Sequence, residues 1–404
     1  MKIFNFLFFV LISIFFPLTA NQPKQYLPIG RSTFSRIIKD NCTYVDKTEL
    51  IYSLLKSDTR YFFIARPRQF GRSLLLTTLE SFFGGEKDLF KKFSIAKSDY
   101  SWQQSPVILL DFFGTATYDR QGFDQWLCRR IQNIAQQYNI STDNEKNFAD
   151  RFKKLVVELA NRYGKNNVAL LVDEYDKPLL DRIDNKEQYK EMESVLKTLY
   201  DAIGACDHCW RFVFFTGLTK CSKQVVFSGI QTLFDISENE KFANLCGFSQ
   251  TELLSTLKPQ LQTYAQAQRL SLDKTIDLIT AWCGGYNFSQ QEAPDSLINP
   301  HSALYHLQDQ KATNYFFDGC TPSFLIHILK QKKYSFDSPH IICIKKNDFE
   351  TYDQQTILPE VALYAAGYFT LHGFDKTNNE YLLKSPNKET EQAFQILKKC
   401  IIGP

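Results

Sequence analysis

The stretch Tyr61-Phe62-Phe63-Ile64-Ala65-Arg66-Pro67-Arg68-Gln69-Phe70-Gly71-Arg72-Ser73-Leu74-Leu75-Leu76 reads as a buried strand, a tight turn and the start of a helix. Five apolar residues in an unbroken run suit a strand covered on both faces, as in a parallel sheet. Backbone N–H groups at a helix start are free to meet an anion, and the helix dipole favours negative charge there, so this geometry cradles phosphate. The general phosphate-loop pattern asks for Gly at its first position and Lys before the Ser. Arg66 and Arg72 occupy those two positions here. Nucleotide binding is the expectation, and hydrolysis is the open question.

Working outward, three more apolar runs read as strands: Val107 to Phe112, Val168 to Val172 and Arg211 to Thr216. Segments with helical spacing separate them, at Ser73 to Phe83, Phe123 to Tyr138, Asn147 to Tyr163 and Tyr189 to Ile203. Strands joined by helix-length connections imply a parallel sheet with crossover helices, so residues 26–237 are expected to form an α/β domain. Beyond Ser237 the pattern turns mainly helical, and 238–404 is expected to be a second region. Ser249-Gln250-Thr251-Glu252 is a capping box, with Leu253, Leu254, Leu257, Leu261 and Tyr264 following on one helix face. A helix from Leu272 to Trp282 meets Gly284-Gly285, which suits a left-handed cap. A polar loop from Ser289 to Asn299, helical runs at His301 to Leu307 and Pro322 to Lys330, and a small strand near Tyr368 to His372 complete the reading.

Phosphate binding needs inward backbone amides, a cation and, for magnesium, a hydroxyl. The cofactor-binding candidates are therefore Arg66, Gly71, Arg72 and Ser73, with Gly71 allowing close backbone approach and Ser73 the hydroxyl for the metal. The Val168 to Val172 strand ends in Asp173-Glu174-Tyr175-Asp176. Carboxylates at the carboxyl end of a buried parallel strand stand where such sheets bind ligands. Asp173 is placed to hold magnesium, and Glu174 to orient or deprotonate the attacking water. Thr216, at the tip of the Arg211 to Thr216 run, is placed to sense the terminal phosphate, with Lys220 or Lys223 nearby for charge. The bland alternatives are a solvated Arg-rich turn, a helix-capping carboxylate and a polar turn after a core strand.

A formal charge of +3 over 404 residues is close to balance, so no clear nucleic-acid binding is expected. Lys2 followed by the largely apolar stretch Ile3 to Leu18 and by Thr19-Ala20 reads as a signal peptide over residues 1–20, hence an exported protein. A membrane anchor or a cytoplasmic location is the other reading, and no later segment approaches membrane length. Ten scattered cysteines sit awkwardly with export, and Cys206-Asp207-His208-Cys209 lacks the second pair a zinc site needs.

With these segments in place, the chain resembles the AAA-ATPase-like proteins that in bacteria are usually followed by a PD-(D/E)XK nuclease domain. The resemblance runs from Leu27-Pro28-Ile29-Gly30 and Tyr44-Val45-Asp46-Lys47-Thr48 through the loop, Asp173-Glu174-Tyr175-Asp176-Lys177-Pro178, Phe215-Thr216-Gly217 and Phe227-Ser228-Gly229. It continues through Tyr286-Asn287-Phe288, Asn299-Pro300, Gly319 to Leu325, Ala366-Gly367-Tyr368 and Pro386-Asn387-Lys388-Glu389, nearly the whole chain after the leader. Members write the loop R-P-R-R-F-G-K-S, so Arg66 is usual among them, and Gln69 and Arg72 are departures. The resemblance implies a P-loop NTPase fold taking ATP and Mg2+, with Arg72 and Ser73 at phosphate and magnesium. It likewise implies Asp173 at magnesium, Glu174 as catalytic carboxylate and Thr216 as sensor. The chain stops shortly after Asn387, where the resemblance would have the nuclease begin, so no nuclease activity is expected of it. Nucleotide is the expected partner, with an unidentified protein partner and an oligomer left open. The functional readings are an ATPase weakened by Arg72, a degenerate non-hydrolysing switch, or an exported interaction scaffold.

Overall fold

The long apolar runs pair into one parallel sheet. Strands β1 (Tyr61–Ala65), β2 (Val107–Asp111), β3 (Val168–Asp173), β4 (Trp210–Gly217) and β5 (Leu233–Asp235) lie in the order β2-β3-β4-β1-β5. The computed structural model describes residues 25–115, 118–230, 232–290, 296–316, 321–336, 340–350 and 356–402. The leader expected at residues 1–20, Cys320 and the centre of the 289–299 loop lie outside them.

Helices α1 (Phe34–Lys39) and α2 (Thr48–Leu55) precede the sheet, and α3 (Arg72–Phe83) follows β1 directly. Helices α4 (Arg120–Gln137) and α5 (Phe148–Tyr163) connect β2 to β3, α6 (Lys177–Leu180) and α7 (Lys186–Ala205) connect β3 to β4, and α8 (Lys223–Val226) leads to β5. The starts of α4, α5 and α7 are fixed by the side chains of Asp119, Asn147 and Asn185, each accepting from a backbone N–H of the first turn. Every residue of β3 is buried, as a doubly covered strand requires. In register, Ile64 lies opposite Thr216, Val172 opposite Phe215 and Asp111 opposite Asp173. The carboxyl ends of β1, β3 and β4 therefore finish at one edge, with the strand bearing Thr216 between the other two.

The second half departs from the sequence reading in two places. After the Ser249–Glu252 capping box, α9 (Gln250–Thr256) ends and α10 (Lys258–Gln268) begins with Pro259 in its first turn, so one expected helix is two. Proline lacks the N–H an interior turn needs and is accepted only near a helix start. Helices α11 (Leu272–Cys283), α12 (Pro300–Asp309), α13 (Ser323–Gln331), α14 (Lys346–Glu350), α15 (Pro359–Ala365) and α16 (Lys388–Ile402) follow. The left-handed cap expected of Gly284-Gly285 after α11 is supplied by Gly285, at φ 80°. The small strand expected near Tyr368 to His372 belongs to a three-stranded antiparallel sheet of β6 (Ile342–Lys345), β7 (Thr370–Asp375) and β8 (Glu380–Lys384), in the order β6-β8-β7.

One continuous apolar core runs from the parallel sheet through Phe70, Tyr286 and Phe288 to α13, α15, β7 and β8. A smaller cluster built on Leu253, Leu257, Leu261, Tyr264 and Ile279 holds α9, α10 and α11 together. Helix α12 is tied to α16 by a buried polar knot. Glu389 accepts from Ser302 Oγ at 2.7 Å and from the Tyr315 N–H at 3.2 Å, and lies 3.1 Å from Nε2 of His306. Both side chains of that pair are essentially inaccessible to water. Among the described residues no helix is long and apolar enough to cross a membrane. The described cysteines are all free, and burial pushes the Cys206 thiol up to about 11.

Candidate functional site

The loop between β1 and α3 is shaped by two residues in the left-handed region, Gln69 at φ 65° and Gly71 at φ 93°. A Cβ on Gly71 would meet no protein atom within 4 Å, so glycine is demanded here by backbone conformation rather than by space. Helix α3 opens at Arg72, which places the Ser73 hydroxyl on its first turn, facing the end of β3. Ser73 Oγ donates to Asp173 Oδ2 at 2.6 Å, although the two residues are 100 positions apart. Asp173 Oδ1 accepts from Thr216 Oγ1 at 2.5 Å and from the Glu174 N–H at 3.0 Å. A serine and an aspartate this close span the reach of a single divalent ion.

Glu174 itself sits at φ 53°, an uncommon state for a residue other than glycine. Such strain collects at functional sites. The turn aims its carboxylate back toward α3, where Oε1 lies 3.5 Å from Nη2 of Arg72. Burial raises the pKa of Glu174, Arg72 opposes the rise, and Asp173 and Asp176 add to it. Glu174 Oε2 and Arg72 Nη1 are both buried and, among the described residues, without a hydrogen-bond partner. A buried donor and a buried acceptor left unsatisfied at one edge of the sheet are costly.

The loop forms one wall of a cavity of about 450 Å³ that also reaches the segments 28–32 and 43–47, Cys246 to Phe248, and His301, Leu304 and Tyr305 of α12. Its size and mostly apolar lining are those of a small-molecule site. Arg68, Gly71, Arg72, Ser73 and Glu174 all face it.

Arg66 does not. Its guanidinium turns into the core, where it is 1% exposed. It donates to the carbonyls of Ala65 at 2.9 Å, Ser237 at 2.6 Å and Ala243 at 3.3 Å, and lies 4.3 Å from the centre of the Phe288 ring. The reading of Arg66 as a phosphate ligand is thus corrected: three backbone oxygens and an aromatic face consume the charge that the sequence assigned to nucleotide. Arg66→Met, which keeps the length and removes the donors, is expected to cost about 3 kcal/mol, because buried carbonyls lose their partner at roughly 1–3 kcal/mol each. The denaturant midpoint checks this, and a fall in nucleotide affinity with an unmoved midpoint would restore the phosphate role.

Lys220 and Lys223 are also otherwise engaged. Lys220 pairs with Glu238 at 2.6 Å and Asp235 at 3.1 Å, and Lys223 pairs with Asp235. Both are drawn to the β5 side and away from Thr216.

Residues 28–227 match the AAA-ATPase-like family, whose members are described as predicted AAA-ATPases. An uncharacterized protein of the vnfD 5′ region in Azotobacter chroococcum mcd 1 is 31% identical over 372 residues, covering 91% of this chain and 69% of that protein. The chain belongs to the AAA-ATPase-like family. A solved structure of the Aeropyrum pernix ORC1 protein in complex with DNA aligns over 88% of this chain and 93% of its own, at 9% identity and a TM-score of 0.30. That likeness is too loose to say anything of the site.

Three residues at this AAA-ATPase-like site were given no role by the sequence reading. Asp176 is fully buried and accepts from the Leu218 N–H, the Thr219 N–H and Thr219 Oγ1, tying the turn after β3 to the turn after β4. Lys47 faces the cavity and gives both its short bonds, 2.6 and 2.7 Å, to Glu252 of the α9 capping box. Burial lowers its pKa, and Glu252 opposes the fall. Thr43, which also lines the cavity, presents a buried hydroxyl with no hydrogen-bond partner among the described residues. Spacing gave no signal for Asp176 or Thr43, and Lys47 finds its partner 205 positions away.

Proposed function

We propose that this AAA-ATPase-like protein binds ATP with Mg2+ in the cavity beside the phosphate loop and hydrolyses it slowly. The observation that supports the reading is the convergence of Ser73, Asp173 and Thr216 within hydrogen-bond distance at the sheet edge, next to a cavity of about 450 Å³. Ser73 Oγ and Asp173 would hold the ion, which supplies neutralising charge at the terminal phosphates. The amides of the loop and Nη1 of Arg72 would bind phosphate oxygens. Glu174 would take the water's proton, its unpaired Oε2 being the atom left for that work. Thr216 would report the terminal phosphate while anchoring Asp173.

The test is a titration of the purified chain with a fluorescent ATP analogue, with and without magnesium. A saturable, magnesium-dependent signal is expected, and its absence at millimolar nucleotide ends the reading. A second reading, a switch that binds without hydrolysis, draws on the contact between Arg72 and Glu174, which keeps one carboxylate oxygen occupied. Bound nucleotide recovered intact after hours at saturation would favour the switch.

A further inference from the structure

The loop carries three arginines, and each has a different fate. Arg66 is spent on backbone carbonyls, and Arg72 leans on Glu174. Arg68, half-buried at the outer turn of the loop, makes no hydrogen bond or ion pair among the described residues. The other cations around this edge of the sheet are committed: Lys47 to Glu252, Lys177 to Asp181, Lys220 to Glu238 and Lys223 to Asp235. Arg182 is likewise bound to the carbonyls of Pro178 and Thr115.

Arg68 also stands at a particular place. It lines the large cavity and, from its other side, a small one of about 20 Å³ against Asp176 and Lys177. Glu174 lines both cavities as well, so the arginine and the carboxylate flank one boundary. The left-handed turn at Gln69 follows Arg68 directly and separates it from the inward-facing part of the loop.

We propose that Arg68 supplies, from within the same chain, the positive charge that holds the terminal phosphate of ATP, both in the bound nucleotide and as that phosphate is transferred to water. This rests on the ATP reading and goes beyond it by removing the need for an arginine from a neighbouring protomer. In the step, the water oxygen forms a bond to the terminal phosphorus and the bond from that phosphorus to the bridging oxygen breaks, giving ADP and phosphate. The proton of the water passes to Glu174 and then to a phosphate oxygen. Arg68 keeps its protons throughout and donates hydrogen bonds to the non-bridging oxygens, where charge gathers.

The test compares full-length wild type, Arg68→Ala and Arg68→Lys for magnesium-dependent affinity toward ATP and toward ADP, at two protein concentrations tenfold apart. A charge-assisted pair of this kind is worth about tenfold or more in affinity. Arg68→Ala is expected to weaken ATP by that factor and ADP by under about twofold, with Arg68→Lys between, and the wild-type ratio is expected to be the same at both concentrations. An equal loss for both nucleotides, no loss for either, or an ATP preference that grows with protein concentration overturns the proposal. Failure of the wild type to bind either nucleotide would overturn the ATP reading itself, whereas binding with an unmoved ratio would remove Arg68 alone. Because Arg68 makes no hydrogen bond or ion pair among the described residues, the alanine variant should unfold close to the wild-type temperature, which a melting curve checks.

Discussion

Asp173→Asn is expected to abolish the magnesium dependence of nucleotide binding and to lower any ATP hydrolysis by about a hundredfold or more. The fold should survive it. Asparagine keeps a carbonyl oxygen that can accept from Thr216 Oγ1 and the Glu174 N–H, as Asp173 Oδ1 does. Its amide nitrogen would then face Ser73, whose hydroxyl can turn from donor to acceptor. What disappears is the negative charge, which a divalent ion requires and a hydrogen-bond network does not. Phosphate release and a magnesium titration, beside a thermal melt, separate the two. Unchanged magnesium dependence in a folded variant would mean that the Ser73–Asp173 pair is only a structural bond.

Arg72→Lys carries the second large effect, an expected rise in turnover of about tenfold or more. The side chain of Arg72 is 7% exposed and reaches Glu174 Oε1 at 3.5 Å, so its charge is shared between the cavity and the carboxylate proposed to align water. A lysine is a compact point charge on a flexible stem, able to lie within the loop and leave Glu174 to the water. Steady-state phosphate release at saturating ATP measures the outcome. A fall instead would show that Glu174 is held in place by Arg72 and that the loop has adapted to arginine.

How far these residues could be read beforehand depends on how local their physics is. Strands β1 and β3 were legible almost to the residue, since a strand buried on both faces leaves an unbroken apolar run. Strand β5 has three residues, and strand β8 reads Glu380-Tyr381-Leu382-Leu383-Lys384, whose three apolar residues in a row show no alternation, so neither rises above a loop in sequence. Ser73 and Asp173 were legible as candidates because each ends or begins an element at the ligand-binding edge. Arg66 was not, since a cation in a phosphate-loop position looks the same whether it meets phosphate or the carbonyls of Ser237 and Ala243, more than 170 positions on. The same distance hid the partner of Lys47. The break between α9 and α10 was written in Pro259, but the apolar face running on through Leu261 and Tyr264 concealed it.

The knot between His306 and Glu389 fastens the wall of the cavity to α16. Leu304 and Tyr305 touch the cavity, and the very next residue is hitched to the first turn of α16. Helix α16 has 15 residues, so it is about 22 Å long at 1.5 Å per residue. Ala393 and Leu397 farther along it are buried in the same core as the parallel sheet, so this rod is clamped along its length and braces the wall of the cavity from behind.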